Sequence, residues 1–246
     1  MWVSSPYIEK NTVISLSNAI FISSLFILLV KNRASPLFIF LTSTNYYILV
    51  LLTSAERLKF AYIFAILVFI MPRAWRGVMV VASLLSHFSI LIVFLSLALP
   101  QEFRNAIQSL RMTGWESLKG VAALVATFGA FIVFLYLYQD PIMNKVSHYI
   151  SYNFSDMIAA LLLFFVSFLV TENRKNMFAT LLIPLVATFI LGGQRVNMLT
   201  VSIFLYVVLK EEKTNHPVVL LLMAYLSYKS IDFMQDVLTY GTGFVA

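Results

Sequence analysis

Five stretches of the chain run for 19 to 25 residues without one Asp, Glu, Lys or Arg: Asn11–Val30, Ala34–Ala55, Gly77–Gln101, Gly120–Gln139 and Asn176–Gln194. A helix needs about 20 apolar residues to cross the hydrocarbon core of a bilayer. Each stretch has that length, and none alternates apolar with polar residues as a membrane β-strand does. Four shorter runs, Phe60–Pro72, Met157–Thr171, Val196–Leu209 and Thr214–Tyr228, reach membrane length only by taking in the polar residues beside them. The pattern predicts an all-α, polytopic integral membrane helix bundle of eight or nine transmembrane helices, one domain over residues 1–246.

Composition agrees. Of 246 residues, 61% are hydrophobic and 11% charged, against about 25% charged in soluble domains. So few charges cannot cover a soluble surface, which excludes a soluble enzyme, a nucleic-acid-binding module and a disordered chain. The chain has no Cys, so disulfides, thiol nucleophiles and thiolate metal sites are excluded. No paired His or D-x-D motif offers a metal site, and no cofactor is expected. The formal net charge of +6 is scattered, as for Lys and Arg anchoring loops at anionic headgroups. Five of seven prolines lie at run edges, and only Pro184 falls inside a run, where it predicts a kink. The polar stretches Pro100–Lys119 and Gln139–Asp156 read as an interfacial amphipathic segment carrying Trp115 and a connecting loop. With nine spans, ten Lys and Arg, Lys210 and Lys213 among them, fall on the side of the N-terminus and seven on the other. That excess predicts a cytoplasmic N-terminus, with the first span retained rather than cleaved.

Polar residues at membrane depth are costly and therefore informative. Arg57, in TSAERLKFAYIF, opens a short run together with Glu56 and Lys59. It reads as a snorkelling anchor or as an anion clamp at a helix N-terminus. Arg195 follows Gly192 and Gly193, which permit a break between two helices, and its guanidinium adds to the positive end of the second; it reads as an anion site at a broken helix or as the anchoring Arg of an ordinary hairpin. His87 lies near the middle of Gly77–Gln101, with Ser83 on its face. It serves as interhelical hydrogen-bonding glue or as a general base. Lys229, Asp232 and Asp236 recur at i, i+3 and i+7, as an internal salt bridge or an ion-coupling face. Ala122, Ala126 and Ala130 form a small-residue row for close helix packing.

Taken in order, TSAERLKFAYIF, SHFSILI, GGQRVNMLTVSIFLYVVL, AYLSYKSIDF and YGTGF resemble segments of the integral-membrane polysaccharide polymerases of the Wzy and EpsG type, over roughly Tyr46–Leu97 and Leu191–Phe244. Members of that family usually carry further spans at the N-terminus, so the resemblance implies a form short at that end. It also implies glycosyl transfer between polyprenyl-diphosphate-linked oligosaccharides at the outer face of a bacterial inner membrane, building O-antigen, capsule or exopolysaccharide. Arg57 and Arg195 would hold diphosphate charge without metal, and His87 would deprotonate the acceptor hydroxyl. Asn197, Lys59 and Lys229 are the candidate substrate contacts. The implied partners are the lipid-linked glycan, membrane lipid and a chain-length regulator, with no nucleic acid. A transporter or flippase for a lipid-linked oligosaccharide, or a non-catalytic membrane subunit, are the alternatives.

Overall fold

The computed structural model describes residues 10–98, 100, 122, 125, 129, 136, 154–191 and 193–240. The expected span Gly120–Gln139, the two polar stretches, Trp115 and the alanine row lie wholly or mostly outside them. Among the described residues every regular element is helical: α1 (Lys10–Lys31), α2 (Pro36–Ser43), α3 (Tyr46–Thr53), α4 (Glu56–Ile70), α5 (Arg73–Ser86), α6 (Phe88–Ala98), α7 (Phe154–Val170), α8 (Arg174–Leu191), α9 (Gly193–Lys210), α10 (Pro217–Tyr228) and α11 (Ser230–Tyr240). Two helices are long and apolar enough to cross a membrane, Asn11–Lys31 and Pro217–Tyr240. The pair α2 and α3 qualifies together, bent by 47° at its break. The helices group into two compact units, residues 1–91 with 206–246 and residues 92–205.

In the first unit, α1 buries one narrow stripe, Ser17, Phe21, Ser24, Leu25 and Leu29, at the spacing of a single helical face. Leu16, Ile20, Phe26, Ile27 and Val30 point outward. The same inversion recurs at Leu85 (83% exposed), Leu238 (80%) and Leu221 (73%). Water would not tolerate so many outward apolar side chains on one chain, whereas lipid tails do. α1 and α4 run parallel and are pinned at both ends. Lys31 Nζ donates to Phe69 O and Ile70 O, each at 3.3 Å, and Lys59 Nζ donates to Asn18 Oδ1 and, at 3.3 Å, to Leu52 O. α4 and α5 form an antiparallel hairpin around Met71–Pro72, locked where Ser83 Oγ donates to Ala61 O at 2.7 Å.

Two of the long charge-free runs are not continuous helices. Ala34–Ala55 breaks at Thr44–Asn45, and Gly77–Gln101 breaks at His87 and begins four residues early, at Arg73. Neither break contains Gly or Pro. Each is made by a polar residue that caps the following helix in place of continuing the preceding one. The other described runs are helical over most of their length, near the expected bounds, and α8 continues through Pro184 to Leu191.

α1 and α9 end alike. Arg33 and Glu212 take left-handed backbone conformations (φ 54° and 55°). In each case the amide of that residue and the next one turn back onto the last helical turn, Arg33 N on Val30 O and Ala34 N on Leu29 O, Glu212 N on Leu209 O and Lys213 N on Val208 O. Ser35 N then donates to Thr214 Oγ1 at 3.3 Å, which brings the two loops together. Lys210 and Lys213 therefore share an end with Arg33, not with Lys10 as the nine-span alternation had it.

In the second unit α7 packs on α8, with Phe164 edge-on to Phe178 at 5.6 Å and the Arg174 guanidinium over Phe168 at 5.2 Å. Residues 196 to 201 of α9 are all buried. A helix buried on every face has no side to offer to solvent or to lipid.

Candidate functional site

α4 opens with Glu56, Arg57, Leu58 and Lys59, and the two cations have opposite fates. Lys59 is fully buried, its ammonium held between α1 and α3 by Asn18 and Leu52 O. It is a brace for three helices, which a substrate reaches only by displacing those bonds. Arg57 is exposed, and its guanidinium makes no hydrogen bond or ion pair among the described residues. No side chain caps α4, whose N-cap is Ala55. The first-turn amides and Arg57 therefore present positive charge beside the Glu56 carboxylate of the same turn.

His87 sits level with Arg57. Ser83 is opposite Ala61, and four residues along each antiparallel helix in the same direction lead to His87 and Arg57. Four residues rise about 6 Å. The imidazole Nδ1 accepts from the Ser89 N–H at 3.3 Å and lies 2.7 Å from Ser89 Oγ. A nitrogen accepting from a backbone amide carries no proton, so the neutral ring holds its proton on Nε2 and Ser89 Oγ donates to Nδ1. Nε2 is then the donor side of the ring. The expected mid-span imidazole is thus a helix cap, half-buried, at the end of a hairpin.

A second polar cluster, missed in the sequence, forms at the α2–α3 break. Asn45 is fully buried; its Oδ1 accepts from Tyr47 N at 2.9 Å and its Nδ2 faces Met223 Sδ at 4.0 Å. Thr44 Oγ1 donates to Ser227 Oγ at 3.0 Å, and Ser227 Oγ donates to Leu41 O at 2.9 Å. Tyr46 packs edge-on against Phe233 at 5.4 Å, and Lys229 Nζ lies 5.0 Å from the Tyr46 ring centre. The Lys229 ammonium rests on that aromatic face, and makes no ion pair with Asp232 or Asp236 among the described residues. The signal was available: T-S-T-N is a run of side chains that bond their own backbone, and Asn is among the strongest N-caps.

Arg195 and Asn197 belong to the second unit. Arg195 is the third residue of α9, directly after the break that follows Leu191; its side chain and Gly192 lie outside the described part. Asn197 is buried, 6% exposed, one turn into the helix. The structure thus brings Arg57, Lys59 and His87 to one end of the first unit, with Lys229 halfway along it at the second cluster. No group of three or more His, Cys, Asp or Glu with metal-binding geometry occurs among the described residues. No family model, curated protein or solved structure matches the chain.

Proposed function

We propose that the chain is a multi-pass integral protein of the bacterial inner membrane, with eight or nine spans, that extends polysaccharide by glycosyl transfer between polyprenyl-diphosphate-linked oligosaccharides. The span count rests on short helices as well as long ones: α8 and α9, of 18 residues each, rise about 27 Å, close to the roughly 30 Å of a hydrocarbon core. One observation carries the reaction: an exposed, unbridged Arg57 at the uncapped start of α4, level with the imidazole that breaks the next helix. A planar guanidinium beside helix amides suits a diphosphate and stabilises the charge that grows on it as the glycosidic bond breaks. His87, with its ring proton on Nε2, contributes by hydrogen-bond donation in place of the base that the resemblance implied; as the acceptor oxygen forms the new glycosidic bond and the diphosphate leaves, the hydroxyl proton passes to the departing diphosphate. For Arg195, in the second unit, the resemblance implies a diphosphate-holding role of its own.

The test is glycan chain length in cells that depend on this chain for polymerisation. Arg57→Ala and Arg195→Ala are each expected to abolish long-chain glycan at unchanged protein level. Long-chain glycan at the wild-type amount in both variants overturns the reading. A lipid-linked-oligosaccharide flippase is the second reading, favoured by Lys229 at the middle of the candidate span Pro217–Tyr240. Substrate movement across vesicles without chain growth, lost in Lys229→Gln, selects it.

A further inference from the structure

The two ends of the first unit differ in charge. At one end lie the close of α1, the α4–α5 turn and the α9–α10 loop, joined by the bonds from Lys31 to Phe69 and Ile70 and from Ser35 to Thr214. That end gathers Lys31, Arg33, Arg73, Arg76, Lys210 and Lys213, against the carboxylates Glu211 and Glu212. The other end has Lys10, Arg57 and the buried Lys59, against Glu56. The guanidinium groups of Arg33, Arg73 and Arg76 are exposed and make no hydrogen bond or ion pair among the described residues. Residues 71 to 78, Met-Pro-Arg-Ala-Trp-Arg-Gly-Val, are all exposed, with Trp75 at 56%.

An indole flanked by arginines, at the mouth of a hairpin whose outer side chains are apolar, matches the headgroup layer. In that layer the ring would sit among ester groups and the guanidinium groups would reach lipid phosphates, with the exposed Val78, Val81 and Leu85 continuing toward the tails. Lys31 already offsets the negative end of α4 through its two carbonyl contacts, so the three arginines, with the exposed Lys210, are left to bind outside the protein.

We propose that the Arg33–Arg73–Arg76–Trp75 end of the first unit is a binding surface for anionic phospholipid headgroups, and that it faces the cytoplasm. Arg57 and His87 then open to the opposite leaflet. The proposal rests on the membrane reading and not on the glycan reaction.

Because the chain has no Cys, single cysteines report sidedness without background. Asn215→Cys marks the basic end and Thr53→Cys the α3–α4 turn; both positions are exposed. In intact cells a membrane-impermeant maleimide is expected to label Thr53→Cys, and to label Asn215→Cys only after permeabilisation. A second arm reconstitutes the full chain in nanodiscs of phosphatidylcholine and phosphatidylglycerol and counts retained lipid by native mass spectrometry. Removing a surface cation is expected to lower phosphatidylglycerol retention roughly fivefold. The pair Arg73→Gln/Arg76→Gln is expected to lose about twentyfold, and Arg73→Lys/Arg76→Lys to keep nearly all of it. Labelling of Asn215→Cys from outside intact cells, or equal retention by the Gln pair and the wild type, overturns the proposal. Neither arm reads glycan growth, so this surface and the proposed reaction fail independently.

Discussion

The two helix breaks of the first unit use the same device in different surroundings. At Thr44–Asn45 and at His87 an apolar run is interrupted by a side chain that accepts from the amide two residues on, Tyr47 in one case and Ser89 in the other. Asn45 is fully buried and its neighbours are tied across to α10 through Ser227. His87 is half-buried, level with Arg57, and its cap is longer, 3.3 Å against 2.9 Å. The first break is a braced joint; the second puts a titratable ring at a hairpin end. Identical local chemistry yields a structural element in one place and a candidate reactive group in the other, and burial makes the difference.

Removing the buried cap should have the largest effect. In Asn45→Ala the Tyr47 amide loses its acceptor where no water can replace it. The cost combines a lost N-cap, about 1 kcal/mol, with an unsatisfied buried donor, about 1–3 kcal/mol. A destabilisation of about 2–3 kcal/mol is expected in reversible unfolding from mixed micelles. A loss below about 0.5 kcal/mol would show that the two breaks are energetically alike. Ser227→Ala removes two hydrogen bonds at the same joint and leaves Leu41 O and Thr44 Oγ1 with their other contacts, since Thr44 Oγ1 also reaches Phe40 O at 3.0 Å. About 1 kcal/mol is expected there, measured in the same way, and additivity with Asn45→Ala is expected to fail because the residues share one network.

Helix class was legible in the sequence because it follows from charge-free length, a property of composition along the chain. The helical content of α1, α4, α7, α8, α9 and α10 lies close to the runs that predicted it, and Glu56 to Lys59 extend α4 as the shortness of Phe60–Pro72 required. The breaks were not legible by that measure. Ser, Thr, Asn and His are uncharged, so a search for charge passes over them, yet these residues offer the backbone another partner. The fate of each cation was also hidden. Arg57 and Lys59 are two residues apart on one helix and differ only in what α1 and α3 place beside them: Asn18 and Leu52 O receive Lys59, and nothing described receives Arg57. The grouping of Lys210 and Lys213 with Lys10 failed for a related reason. Alternation assigns loops by counting spans, and the bond from Ser35 to Thr214 is a tertiary fact that no count contains.

The smallest expected effect on stability is at His87, and it separates capping from chemistry. His87→Ala removes the Nδ1 acceptor from Ser89 N and Oγ, but the site is half-buried and near a helix end, so about 0.5 kcal/mol is expected. His87→Asn keeps a short side chain that caps at least as well, and its stability should stay within about 0.5 kcal/mol of the wild type. It cannot supply the imidazole N–H at the reach of Nε2. If His87 is only a joint, like Asn45, then His87→Asn makes long-chain glycan at the wild-type level. If the ring bonds the diphosphate or the acceptor, His87→Asn folds normally and still loses chain growth, by roughly 10²-fold for one lost donor to developing charge. Thermal unfolding in detergent and glycan chain length, read on the same preparations of both variants, decide between the two. The comparison with Asn45 survives only if stability and activity part company at His87 and fall together at Asn45.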